Sequence, residues 1–456
     1  MGFPIPFSRV DLPTLVLVVG LAHSVALAAD QNWPAWRGPL GNGVAPGANP
    51  PTEWSETRNV VWKVPVPGRG SSTPILWGDQ VFLLTAIPVG VEPPAPAEGP
   101  EGSGRGGPGG RGSRGSRGET PSQPQRFTVI ALGRDDGKVR WQQTARVQVP
   151  HEGHHKDHGF ASASPVTDGR VLIASFGSFG LFAYDLQGKL LWEKDLGDMR
   201  TRNSFGEGSS PALHGTTVVV LWDHEGEDFI VALDTRDGRE LWRQRRDEPT
   251  GWSTPLIVEQ GGKAQVVVNG TNKVRAYDLA TGSMLWECSG QTANAIPTPV
   301  ADEGRVIVMS GFRGSALQVI RLGGSGDLTG TDAIVWSHNK GTPYVPSPLL
   351  YGSRLYFLSG NTAMLSIFDA RTGKPEVEME RLNGLAGVYA SPVGASGRVY
   401  LAGRDGGVVV LKEGPRVEVL ATNRLDDGFD ASPAVVGNRL YLRGRASLYC
   451  VGEARR

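Results

Sequence analysis

The sequence is poor in the features that announce most catalytic chemistries. Its 456 residues contain two cysteines, Cys288 and Cys450, and neither belongs to a metal or redox spacing motif. No charge of one sign dominates. Lys+Arg and Asp+Glu both number 46, which leaves no electrostatic case for nucleic acid or an anionic membrane. There is no Gly-x-Ser-x-Gly elbow, no phosphate loop and no His-Glu-x-x-His helix.

One apolar stretch, residues 12–29, approaches the length of a membrane span. It reads instead as the core of a secretory signal over residues 1–28. Arg9 precedes it, residues 15–21 form a compact apolar run, and Ala26-Leu27-Ala28 supplies a small-x-small cleavage site. The expectation is a periplasmic or extracellular monomer with no transmembrane span once the signal is removed. No cysteine lies near the cleavage site to carry a lipid.

What the chain has in plenty is a repeat. A Ser-Pro or Thr-Pro step precedes two short apolar runs and, in most copies, an Asp-x-x-x-Gly turn and a tryptophan. The anchors are Pro74, Pro165, Pro211, Pro255, Pro299, Pro348, Pro392 and Pro433, and from Pro165 onward they stand 46, 44, 44, 49, 44 and 41 residues apart. Repeats of this length with several short strands each are propeller blades. Glycine, at 63 residues, meets the demand for tight turns. The predicted fold is all-β: an eight-bladed propeller of four-stranded blades over residues 59–456. Its last repeat lacks a fourth strand, so residues 59–64, with Trp62, are predicted to close the ring and remove its sheet edges. Six tryptophans, Trp62, Trp141, Trp192, Trp242, Trp286 and Trp336, fall in the fourth-strand slot and are read as packing between blades. The cysteines fall in the fourth and eighth repeats, too far apart for a disulfide, and are expected to be free. Residues 29–58, rich in Pro, Gly and Trp, form an irregular extension. Residues 88–125 are a Gly/Pro/Arg-rich insert in the first blade, disordered by composition.

The order of strands A to D in each blade fixes two faces. The A–B and C–D turns share one, here the turn face. The D–A and B–C loops share the other, the loop face, where binding residues are expected. The richest loop is His151-Glu152-Gly153-His154-His155-Lys156-Asp157-His158, with four of the eight histidines of the chain. It reads as a polar channel-mouth loop, with His154, His155 and His158 as candidate zinc ligands. Asp223, His224 and Glu225 lie on the same face, as a solvated acidic turn or a second source of ligands for the same metal; Arg202, Arg246, Asp247, Trp252 and Tyr344 lie there too. Charged pairs beside aromatics there suit a polar organic ligand or structural ion pairs between blades. No residue is assigned a catalytic role.

The segment Ala276-Tyr277-Asp278-Leu279-Ala280-Thr281-Gly282-Ser283-Met284-Leu285-Trp286 resembles the pyrroloquinoline-quinone (PQQ) repeat. Trp33-Pro34-Ala35-Trp36-Arg37-Gly38-Pro39 resembles the opening of secreted PQQ-like propellers of environmental bacteria. The resemblance spans about residues 59–452 and implies two functional branches. Quinoprotein dehydrogenases hold PQQ and calcium in the channel under an adjacent Cys-Cys disulfide, a pair missing here. BamB-like scaffolds of outer-membrane protein assembly hold no cofactor. The reading that follows is a non-enzymatic binding or scaffold protein with a protein partner or small polar ligand on the loop face. The alternative is an oxidoreductase with PQQ and a metal.

Overall fold

The computed structural model describes residues 31–90, 121–302 and 304–453. The predicted signal segment and most of the predicted insert lie outside the described residues. Eight antiparallel sheets carry the chain, in the order in which the Ser/Thr-Pro anchors occur. Strands B and C are buried on both faces, as in Phe229–Asp234, whereas the outermost strands D alternate exposed and buried positions. The eighth blade is completed from the N-terminus. Val60–Pro65 pairs antiparallel with Ser447–Gly452, with Trp62 opposite Cys450, one residue later than the sequence indicated. Blade four gains a fifth strand, Gly326–Asp327, donated by blade five and parallel to Met284–Cys288.

The Ser/Thr of each anchor has a structural task. Its hydroxyl accepts the backbone N–H of the equivalent residue in the preceding blade. Seven such bonds of 2.9–3.0 Å run from Thr73 through Ser164, Ser210, Thr254, Thr298, Ser347 and Ser391 to Ser432. The following proline needs no donor partner, and the belt stays open between blades eight and one, where the buried Thr73 hydroxyl has no hydrogen-bond partner. Between blades eight and one, Arg443 instead donates to the carbonyl of Ser72.

A second belt runs near the rim. The indole N–H groups of Trp62, Trp141, Trp192, Trp242 and Trp336 each donate to a carbonyl in the C–D turn of the next blade, at 2.8–3.1 Å. Each ring lies flat over the turn glycine: a Cβ on Gly137, Gly188, Gly238, Gly282 or Gly373 would come within 2.6–2.8 Å of it. The glycines also hold positive φ. Tryptophan and glycine of the repeat are therefore two halves of one inter-blade contact. Trp286 departs from this, donating to Gln265 of its own blade. Blades six and seven hold Val377 and Ala421 in the slot. At blade seven the extension supplies Trp54, stacked on Tyr400, with its backbone N–H donated to Asn423 Oδ1. Cys288 and Cys450 are buried and free.

Candidate functional site

The two channel mouths are built differently. From the turn face the N-terminal extension enters the channel. Trp33 is fully buried and bridges Leu76 of blade one, Pro34 accepts from Thr167 of blade two, and Trp36 reaches Ser432 of blade eight. Arg37 then donates to the carbonyls of Pro348, Pro392 and Asn42, each at 3.1 Å, with no carboxylate among its hydrogen-bond partners. Burial pulls its pKa down to about 9, so it remains cationic at neutral pH. The motif that carried the sequence resemblance is thus a plug.

On the loop face, the histidine-rich D–A loop between blades one and two reaches over the mouth. Asp157 pairs with Arg404 of blade seven at 3.0 Å and accepts from the Tyr389 hydroxyl at 3.3 Å. Arg404 lies 4.0 Å over the Tyr389 ring and donates to Asp430 at 2.6 Å, which also holds Arg445. Burial disfavours the Asp157 charge, but Arg404 outweighs it and keeps the carboxyl below its ordinary range. The loop is a strap fastened by ion pairs, unlike the plug, which is fastened by packing and carbonyls.

The histidines serve the strap. His151 Nε2 lies 2.7 Å from the Met199 carbonyl, His154 Nδ1 2.8 Å from that of His155, and His158 Nδ1 2.8 Å from that of Gly159. His155 sets its ring edge on Phe205 and accepts from the Asp157 N–H. Burial lowers the pKa of His155 and takes that of His158 down to about 4, so the latter is neutral. Among the described residues no three His, Cys, Asp or Glu side chains are grouped to hold a metal. The Nδ1 atoms of His154, His155 and His158, the candidate zinc ligands, all face local backbone.

Several other candidates also sit apart from any ligand site. Asp223 and Arg246 form a buried bidentate pair at 2.6 and 3.0 Å, extended by Tyr277 at 2.7 Å. Asp247 pairs with Arg275 at 2.5 Å. His224 accepts from Arg200 N–H and faces the Glu227 carbonyl, while Glu225 accepts from Thr250. The Asp223, Arg246 and Asp247 pairs tie blades three and four, the structural alternative left open by the sequence, and His224 ties blade three to the loop that enters it from blade two. Arg202 is exposed, Tyr344 stacks on Phe312 at 4.9 Å, and Trp252 is buried with its indole bonded to Gly206 at 2.7 Å.

Beneath the strap lies what the sequence did not single out. A small, partly open cavity of about 30 Å³ lies between blades two and three, lined by Phe160, Phe176, Phe179, Trp222, Glu152 and Glu207, among others. Glu207 accepts from the N–H and hydroxyl of Ser178, at 2.8 and 2.5 Å. Burial nevertheless pushes its pKa up to about 7. Gly177 makes room for it, since a Cβ there would meet its carboxylate at 1.5 Å. Glu152 holds Thr201 through its N–H and hydroxyl. A lone glutamate in a loop carries no sequence signal of burial, so Glu207 was invisible until the loops were placed.

A family model described as "Outer membrane protein assembly factor BamB" matches residues 44–205 and 181–414. A protein of that description from Kangiella koreensis is 27% identical over 158 residues, 34% of this chain, and the match spans 38% of that relative's length. Among solved structures, BamB from Moraxella catarrhalis superposes with a TM-score of 0.51 at 16% identity, over 71% of this chain and 93% of that one. The quinohemoprotein alcohol dehydrogenase of Comamonas testosteroni gives 0.62 at 11% identity, over 95% and 83%. A europium-containing methanol dehydrogenase gives 0.62 at 10%, over 93% and 92%. At these identities the solved structures share the fold alone. No helix among the described residues is long and apolar enough to cross a membrane.

Proposed function

The chain belongs to the repeat family described as outer membrane protein assembly factor BamB, and from that premise we propose that it is an exported, non-enzymatic propeller that holds a protein partner on its loop face during envelope-protein assembly. The observation that carries this reading is the closure of both channel mouths by the chain's own segments, Arg37 on one side and the Asp157–Arg404 strap on the other. A partner then meets the loops.

PQQ with calcium is the group the dehydrogenase likeness would imply. The residues do not fit it. The two cysteines lie in different blades, no metal-ligand grouping occurs among the described residues, and the cavity beneath the strap, at about 30 Å³, is an order of magnitude below the roughly 300–1,000 Å³ of sites for ligands of that size; a wider surface opening of about 610 Å³ beside Arg404 and Asp427 has no aromatic ring in its lining to stack a quinone. No reaction step is derived through the cofactor.

The test has two arms. Deleting the gene in its host should lower the amount of folded outer-membrane β-barrel protein, and restoring it should reverse the loss. An unchanged barrel content rejects the assembly role. Titrating the purified protein with PQQ and calcium should leave the quinone spectrum unaltered; micromolar, calcium-dependent binding would favour an oxidoreductase instead.

A further inference from the structure

The cavity beneath the strap combines two features seldom found together. Its walls present the aromatic rings of Phe160, Phe176, Phe179 and Trp222, and the carboxylates of Glu152 and Glu207. None of its lining residues is Lys or Arg. Glu207 is held by Ser178 and faces His151 and Glu152, and no cation pairs with it in a hydrogen bond or salt bridge. His151 is spent on the Met199 carbonyl and on Asp198, 4.0 Å away. A desolvated carboxylate without a cation is costly, and π faces attract cations within about 6 Å.

We propose that this cavity binds a primary ammonium group, that of a lysine side chain on a protein partner or of a small alkylamine. The size agrees. A single water needs at least about 10–15 Å³ by this measure, so about 30 Å³ holds an ammonium head and the first of its methylenes. The carboxylates accept the N–H donors while the rings cover the carbon stem, which leaves through the open side on the loop face. The lining is less suited to a hard divalent cation, which takes roughly six to eight oxygens. The inference rests on the loop face being the partner-binding surface.

The Met199 side chain lines the cavity and gives a local readout. With ¹³C-methyl-labelled methionine, n-butylammonium should shift the Met199 signal saturably, and n-butanol at least tenfold more weakly. Nα-acetyl-lysine methylamide binding more tightly than butylammonium points to a partner lysine; the reverse order points to a free amine. Glu207→Gln should weaken either ligand by tenfold or more, and Glu152→Gln supplies a second variant if the first misfolds. Binding should weaken from pH 8 to pH 5.5, as Glu207 gains a proton; His151 and Glu152 are the other ionisable groups that act on it. Equal shifts from butanol, or unchanged affinity in both variants, overturn the proposal. If ammonium is ignored while deletion still lowers barrel assembly, this inference fails alone.

Discussion

The turn-face mouth and the loop-face mouth are both closed by segments from outside the sheets, yet they are closed by different forces. The plug buries Trp33 completely and satisfies Arg37 with three carbonyls. The strap buries less and depends on Asp157, Arg404, Tyr389 and Asp430, with Glu207 and His158 titrating beneath it. The plug ties blades one, two, six, seven and eight together at the inner ring. A second closure made of ionisable groups responds to solution conditions, and the response is confined to the face where partners would bind.

The contrast breaks first at Trp33. Trp33→Ala should cost about 3–5 kcal/mol, the usual range for an emptied buried tryptophan site. The indole lies against Gly38, where a Cβ would come within 2.7 Å of the ring, so little can collapse into the space. Denaturant unfolding should show the loss at every pH between 5 and 8. A loss confined to acid would mean that the plug too is electrostatic.

The two buried titrating groups of the loop face should act with opposite signs. Glu207 has a folded pKa near 7, above its ordinary 4.5. The folded state therefore holds the extra proton between those values, and stability falls as pH rises through them. Replacing it by Gln should stabilise the protein at pH 8 by up to ~3 kcal/mol, taking 1.36 kcal/mol per unit, and leave it unchanged near pH 4. His158 has a folded pKa near 4, below its ordinary 6.5. Here the unfolded state holds the extra proton, so stability is lost as pH falls through that window. His158→Gln should remove an acid sensitivity of similar size. Urea midpoints at pH 4.5, 6 and 8 for the two variants separate these slopes, and parallel curves for variants and parent would refute both assignments.

The ring was legible because its signals are periodic. Ser/Thr-Pro anchors, turn glycines and tryptophans recur at blade spacing, and closure by the N-terminal strand followed from a missing strand D. What those residues do was less legible. The hydroxyl belt is a relation between neighbouring blades, and no single repeat displays it. The candidate site was harder still. The histidine loop stood out by composition, but its imidazoles turned to backbone, and the residue that fastens it is Asp157, whose partners Tyr389 and Arg404 lie more than 230 positions away. Arg246 read as an inter-blade ion pair without a named partner, and Asp223 as a solvated turn or a metal ligand; only their bidentate geometry shows that the two belong together. Pairings across the ring depend on loop conformation, which residue type alone does not specify.

The smallest effect concerns the strap itself. Asp157 and Arg404 each keep about a quarter of their side-chain surface exposed, so solvent discounts their attraction, and Asp157→Asn should cost no more than about 1 kcal/mol. For a chain of this size that moves the melting temperature by only a degree or two. The depressed pKa of Asp157 places its stabilisation above the usual carboxylate range, to be lost only as pH falls through its folded value. Local consequences should exceed the global one. Hydrogen exchange over residues 151–162 should accelerate in the variant at neutral pH, while residues 33–45 keep their protection, because the two closures share no hydrogen bond or ion pair. If both segments accelerate together, the mouths are one cooperative unit. If neither does, the aromatic contacts of His154 with Phe160 and of His155 with Phe205 hold the strap without its ion pair.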